Sequence, residues 1–201
     1  MEYTLRPFAR LDDRSLEAVA LLHQSVMHNL LTDLGLPIIS RYYQIARSEP
    51  SVVGFCAVSA SGEILGWVVG SPDPYTINAL LQTPRSWFFR HVVVLAVRRP
   101  RVFLQILVSV FHSSRQRLHP QAVELTYLGV APQAQNRGVG RALLQAFTEA
   151  GRRLDYRSIE LTTETDNLHA LGLYERSGFA VKRNFKEGRF ERYRMECRLR
   201  A

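Results

Sequence analysis

The sequence predicts an α/β fold, and three observations carry that prediction. Beyond residue 121, strand-like segments alternate with segments of helical spacing, as in chains that layer helices on a sheet. Two apolar runs, 52–60 and 64–69, flank the turn signal Ala60-Ser61-Gly62-Glu63 and read as a hairpin. A strand-like segment, Glu124-Leu125-Thr126-Tyr127-Leu128-Gly129-Val130-Ala131-Pro132, runs into Gln135-Asn136-Arg137-Gly138-Val139-Gly140-Arg141. The amphipathic run Ala142-Leu143-Leu144-Gln145-Ala146-Phe147 follows at once. A chain of 201 residues is long enough for a real core, so residues 1–201 are expected to form one domain.

Residues 3–7 read as a first strand. Asp12 or Asp13 suits a helix cap, and Leu16, Val19, Ala20, Leu22, Val26 and Leu30 recur near helical spacing, so a helix is expected to about Leu30. Pro37 suits the opening of a second helix, 38–47, which ends before Pro50. In the hairpin, Trp67 is expected in the core or on a ligand cleft. After it, Thr83-Pro84 suits a helix start, with a helix over 85–98 carrying Trp87, Phe88, Val92, Val93 and Leu95. Pro100 ends it, and a second helix is expected over 101–118. Its stretch 102–111 is apolar on nearly every side and must be buried against something. The remaining expected order is strand 122–130, helix 138–154, strand 159–164, helix 168–177, strand 180–185, a turn at Gly188 and a final strand over 190–199.

Hydrophobic content of 46% and charged content of 22% are those of a globular protein. The longest apolar runs are broken by Arg98-Arg99-Pro100-Arg101 and none reaches the roughly 18–20 residues of a membrane span. The N-terminal Met1-Glu2-Tyr3-Thr4-Leu5-Arg6-Pro7 lacks a signal-peptide pattern. Cys56 and Cys197 each lie in an alternating segment, so two buried free thiols are expected, in keeping with a reducing cytoplasm. The six histidines are scattered, so no metal is expected. The net charge is +8, carried almost wholly by arginine, since Lys182 and Lys186 are the lysines. No nucleic-acid-binding motif accompanies that charge, and no nucleic-acid partner is expected.

The glycine loop is chemically suggestive. Glycine turns tightly and lets backbone approach a ligand, and the first N–H groups of a helix lack internal partners while its dipole adds positive charge. Such a loop can hold a pyrophosphate. It is not a P-loop, because no Gly-Lys-Ser/Thr follows. It also lacks the third glycine and later acid of the dinucleotide fingerprint. Downstream lies Asn167-Leu168-His169-Ala170-Leu171-Gly172-Leu173-Tyr174-Glu175-Arg176-Ser177-Gly178-Phe179.

Together these segments resemble the GNAT superfamily of acyl-CoA-dependent N-acetyltransferases. Gln135, Gly138 and Gly140 fill that family's acyl-CoA loop, and Asn167, Ala170, Tyr174, Gly178 and Phe179 fill its second signature. The match is good over 121–199, loose over 1–70 and absent over about 72–120. The resemblance implies a mixed central β-sheet flanked by helices, with a helical insertion at about 72–120 between the third and fourth strands. It implies direct transfer of an acetyl group from acetyl-CoA to a primary amine on a small molecule or protein. The alternative is a catalytically silent acyl-CoA-binding or interaction module on the same fold.

Carried over residue by residue, the pyrophosphate falls to Gln135, Asn136, Arg137, Gly138, Val139, Gly140 and Arg141. The pantetheine amides fall to the backbone of Leu128, Gly129 and Val130, with Asn167 either bonding the pantetheine arm or capping its helix. Gly129 is expected to ease a bulge that frees strand N–H groups. Glu124 is the candidate general base, with Tyr127 the alternative, and Tyr174 is the candidate general acid. Phe179 reads as core packing, His169 as a solvated helix residue, and Arg189, Arg192, Arg194 and Arg198 as a solvated face of the last strand.

The insertion departs from the family. From Pro74 to Val123 no acid occurs, yet seven arginines do: Arg85, Arg90, Arg98, Arg99, Arg101, Arg115 and Arg117. Residues 77–118 are expected to form a basic, apolar helical pair on the acceptor side. That pair is a lid, a homodimer interface or a peripheral contact with the inner membrane surface of a cytoplasmic protein.

Overall fold

The structure is a computed structural model that describes residues 2–98, 100, 103, 119–187 and 190–199. Strand β1 (Tyr3–Pro7) leads through one 3-10 turn to helix α1 (Asp13–Val26). Asp12 caps that helix by accepting from the Ser15 N–H at 2.8 Å. The helix stops at Val26, short of Leu30, because Asn29 caps a separate short helix, α2 (Leu30–Leu34), by accepting from the Thr32 N–H at 3.0 Å. Helix α3 (Leu36–Ser48) carries Pro37 in its first turn, where the missing N–H does no harm.

The hairpin forms as expected, with β2 (Val53–Ser59) and β3 (Ile64–Ser71) joined through Gly62. A helix the sequence did not disclose, α4 (Pro74–Leu81), comes next, and α5 (Arg85–Arg98) follows. The expected helix over 101–118 and the turn at Gly188 lie outside the described residues, as does Arg189. Then come β4 (Ala122–Val130), α6 (Val139–Arg153), β5 (Ser158–Glu164), α7 (Leu168–Arg176), β6 (Ala180–Glu187) and β7 (Phe190–Arg198).

Among the described residues these strands make one seven-stranded sheet in the order β1-β2-β3-β4-β5-β7-β6. Only β4 and β5 pair in parallel, so the sheet is mixed. Two cores sit on its two faces. Leu143, Leu144 and Phe147 of α6 and Leu171 and Tyr174 of α7 pack with Val68, Val123, Leu125, Ile159, Leu161 and Met195 on one face. Leu16, Val19 and Ala20 of α1 and Ile38, Ile39, Tyr42 and Tyr43 of α3 pack with Cys56, Trp67 and Val69 on the other. Burial on both faces explains why β3, buried throughout, is apolar up to its last residue, Ser71. Helices α4 and α5 extend the second face: Ile77 and Leu81 of α4 are buried in that core, and Trp87 and Phe88 of α5 pack against it. Arg41 of α3 holds α5 in place, with its guanidinium 5.2 Å from the Trp87 ring centroid and Nη2 donating to the Thr83 carbonyl at 2.7 Å. Cys56 and Cys197 are both buried and free.

Candidate active site

Strands β4 and β5 pair from Ala122↔Ser158 to Leu125↔Leu161 and then part. Beyond that point β4 stays with β3 while β5 continues with β7 as far as Glu164↔Arg192. Among the described residues, no strand pairs with the backbone edge of β4 that faces this opening, 126–130. The peptide joining Val130 to Ala131 shows the consequence. Its N–H donates to the Leu65 carbonyl in the β3 direction at 2.9 Å, so its carbonyl points into the opening, where Gln135 Nε2 donates to it at 3.3 Å.

At the same end of the sheet the glycine loop enters α6. Asn136 (φ 58°) and Gly138 (φ 80°) both take left-handed backbone, and Gly138 is the N-cap residue with no side chain capping the helix. Asparagine and glycine tolerate that conformation best. The first turn carries no acid, while Arg137 and Arg141 are exposed beside it. Uncapped N–H groups, a helix dipole and two cations converge there on open solvent, which is the chemistry of an anion cradle.

Two further candidate residues belong to α7 and its N-cap, on the α6/α7 face of the sheet. Asn167 caps α7, its Oδ1 accepting from the Ala170 N–H at 3.1 Å. Tyr174 is 7% exposed and packs against Phe179 at 5.7 Å between ring centroids; burial pushes its phenol up to about 12. His169 is exposed.

On the opposite face a register break decides the geometry. Val69 pairs with Tyr127 but Gly70 pairs with Leu125, so Thr126 is an extra residue on β4. Side chains three apart on a regular strand point to opposite faces. The bulge brings Glu124 and Tyr127 to the same one, toward α1 and α3. The break therefore lies at Thr126 and not at Gly129. Gly129 answers a different need: a Cβ there would collide with the Trp67 indole, which is fully buried beneath it.

Tyr127 joins an aromatic group with His23, Tyr42, Tyr43 and Trp67, its ring centroid 4.9 Å from His23 and 5.4 Å from Tyr42. Burial first, and then the Glu124 charge, raises the Tyr127 phenol. His23 Nδ1 lies 2.7 Å from Tyr43 Oη, and burial lowers this imidazole from 6.5 to about 4, so it is neutral at pH 7. Trp67 is fully buried in this group, which settles its place in the core.

Glu124 is half-buried and accepts from Arg194 Nη1 and Nη2 at 3.2 Å each. Arg194 also donates from Nε to Glu160 Oε2 at 2.8 Å, and Lys182 Nζ donates to Glu160 Oε1 at 3.1 Å. Burial pushes the Glu160 carboxyl up, and the Arg194 and Lys182 hydrogen bonds more than offset this, leaving it below the usual range. The final strand is thus not a uniformly solvated basic face. Arg194 is buried and Arg192 half-buried, 3.8 Å from Glu164, while Arg198 remains exposed. The sequence pattern hid this because the acids that bury Arg194 come from two other strands.

A family model for the acetyltransferase (GNAT) family matches residues 24–179. The chain belongs to that family. Within 152 residues it is 26% identical to the mycothiol acetyltransferase of Jonesia denitrificans, covering 73% of this chain and 46% of that protein. A shorter match of 61 residues, 49% identical, joins it to the mycothiol acetyltransferase of Geodermatophilus obscurus and covers 30% and 20% of the two chains. The chain spans less than half the length of these curated relatives. Among solved structures, a GNAT-family acetyltransferase from Desulfovibrio desulfuricans superposes with a TM-score of 0.65 at 14% identity, covering 99% of this chain and 100% of the other. The ribosomal-protein-S18-alanine N-acetyltransferase of Escherichia coli gives 0.61 at 13%, covering 100% and 96%. At those identities the likeness shows a shared GNAT fold.

Within that fold, Glu124 and the 128–130 backbone belong to β4, the 135–141 loop leads from it into α6, and Asn167 and Tyr174 belong to the N-cap and the body of α7. The sequence places the bulge at Gly129 and Arg194 on a solvated face, whereas the structure sets the bulge at Thr126 and buries Arg194. Among the described residues no three His, Cys, Asp or Glu side chains form a group able to hold a metal ion, and no helix is long and apolar enough to cross a membrane.

Proposed function

We propose that this chain is an N-acetyltransferase that moves the acetyl group of acetyl-CoA directly onto a primary amine, without a covalent enzyme intermediate. One observation carries the reading: the two candidate proton-transfer groups lie on opposite faces of the sheet. Glu124 faces α1 and α3, whereas Tyr174 belongs to the α6/α7 core. A thioester lying in the opening would present its carbonyl to an amine arriving on the Glu124 side and its sulfur to Tyr174.

The amine nitrogen bonds to the carbonyl carbon, the C–S bond breaks, and the proton lost by nitrogen passes to Glu124 directly or through water. Tyr174, protonated well above pH 7, donates to the departing sulfur. The 135–141 loop fits a pyrophosphate through its uncapped N–H groups, with the 128–130 backbone and Asn167 meeting the pantetheine arm. Asn167 Oδ1 is engaged as the α7 cap, so its contribution to that arm falls to the amide nitrogen.

Thermal shift and calorimetry with acetyl-CoA, followed by thiol release with spermidine, glucosamine and an alanine-terminated peptide, test the proposal. Binding with thiol release from at least one amine supports it. Binding without turnover on any amine supports the silent acyl-CoA-binding module instead.

The acceptor is a small-molecule or protein amine, and the reading places the reaction in the cytoplasm, in keeping with two buried free thiols. A second reading concerns the insertion. Phe89, Val93 and Val97 form one stripe on α5 and are 67%, 42% and 77% exposed, with exposed Arg85 and Arg90 near it. An apolar stripe among arginines supports a contact surface, either for a second copy of the chain or for an anionic membrane.

A further inference from the structure

At Leu125↔Leu161 the backbone bonds between β4 and β5 end, and beside that point one guanidinium spans the two strands. Arg194 stands on β7, beyond β5, with its Cα paired to Thr162. Its Nε donates to Glu160 Oε2 at 2.8 Å and its Nη1 to Thr162 Oγ1 at 3.2 Å, both on β5. Nη1 and Nη2 reach over β5 to Glu124 Oε2 on β4, at 3.2 Å each. Lys182 fixes the other Glu160 oxygen from β6.

Burying an arginine is unfavourable unless its donors are satisfied, and here its side chain is only 8% exposed. A planar fork meets that need, because its donors point along fixed and diverging directions. A lysine ammonium in the same place is a compact point charge on a flexible stem and lacks the fixed planar fork that spans both strands here. The groups facing Glu124 include Arg194 from β7, Tyr127 from β4 and Tyr42 from α3, with Arg192 near Tyr127 and Glu160 on the far side of the guanidinium.

We propose that Arg194 is a positioning residue for acyl transfer: it holds the Glu124 carboxylate at the mouth of the β4–β5 opening, on the side from which the acceptor amine arrives. The proposal rests on the reading of Glu124 as the proton acceptor. Glu160 and Lys182 then serve as the anchor against which Arg194 is braced.

The test is steady-state kinetics of the full chain with acetyl-CoA and whichever of spermidine, glucosamine or the alanine-terminated peptide turns over fastest. Arg194→Lys, Arg194→Gln, Glu124→Gln and the Arg194→Lys/Glu124→Gln pair are compared across pH, with melting temperatures alongside. Arg194→Lys keeps the charge and carries the test should Arg194→Gln fail to fold. Arg194→Lys is expected to lower kcat about tenfold or more, to leave the acetyl-CoA KM within about threefold, and to displace the pH limb that Glu124→Gln abolishes. In the Glu124→Gln background it should have no further effect on kcat.

Wild-type kcat and pH profile in Arg194→Lys, with the limb still lost in Glu124→Gln, would overturn the positioning role and leave the base reading standing. Additive losses in the pair would overturn it too, since Arg194 would then act apart from Glu124. A wild-type profile in Glu124→Gln, or no thiol release from any of the three amines, would remove the base reading and this proposal with it.

Discussion

Tyr174 and His23 are both buried titratable groups, and burial moves them in opposite directions because it disfavours whichever form is charged. For Tyr174 the neutral phenol is kept, so the group remains a donor at every physiological pH but is a weaker acid than an exposed tyrosine. Tyr174→Phe is therefore expected to lower kcat by roughly a hundredfold, the lower end of general-acid effects, with little change in acetyl-CoA affinity. Stopped-turnover assays paired with calorimetry check both halves.

For His23 the neutral imidazole is kept. Its folded value, about 4, lies below the ordinary 6.5, so the unfolded chain takes up a proton first as pH falls. The stability tied to this residue is complete above about pH 6.5 and is lost as pH falls toward 4, to a total of about 3 kcal/mol. Denaturant unfolding at pH 7, 5.5 and 4 should show that slope, and His23→Gln should flatten it. Glu160, also held below the usual carboxylate range, adds a separate loss at still lower pH that His23→Gln leaves in place.

At the scale of elements, the proposed pyrophosphate cradle lies at the junction of β4, the glycine loop and α6. Gly140 sits in the first turn of α6, where a Cβ would meet Leu173 and Val130 at ordinary contact distance of 3.5 Å. A side chain there fits the fold, so Gly140→Asp is a cleaner test of the cradle than a change at Gly138, whose left-handed backbone adds strain of about 1–2 kcal/mol for most residues. Gly140→Asp is expected to weaken acetyl-CoA binding at least about a hundredfold by placing a carboxylate against the pyrophosphate, with a melting temperature close to wild type. Unchanged affinity in calorimetry would dissociate the loop from the pyrophosphate. The Thr126 bulge is the other element-scale device, since without it Glu124 and Tyr127 would stand on opposite faces of the sheet.

For the whole molecule, the two faces of the sheet are asymmetric. One is covered by α6 and α7; the other carries α1 and α3, extended by α4 and α5 through Ile77, Leu81, Trp87 and Phe88. The apolar stripe on α5 therefore belongs to the face from which the acceptor would arrive. If it meets a membrane, the chain should float with anionic liposomes in a salt-sensitive way, and changing Arg85 and Arg90 to Glu should abolish flotation, because each basic side chain near anionic lipid contributes about 1 kcal/mol. If it meets a second copy, light scattering should give a dimer that ignores liposomes, and Phe89→Glu should return it to monomers.

The sequence by itself determined the fold class, most element boundaries and the local geometry of the glycine loop and the start of α7. Those features are local: Asp12 caps its own helix, Gly138 turns its own loop, and Asn167 and Tyr174 share one helix at fixed spacing. Helix α4 escaped notice because its eight residues show no acid or base to mark a face. Tertiary structure alone decided the surroundings of Glu124. Whether Glu124 and Tyr127 share a face depends on one extra residue at Thr126, which no periodicity in β4 reveals. Whether Arg194 is a solvated cation or a buried strut depends on Glu124 and Glu160, which lie 70 and 34 residues away and meet it only once β4, β5 and β7 stand side by side.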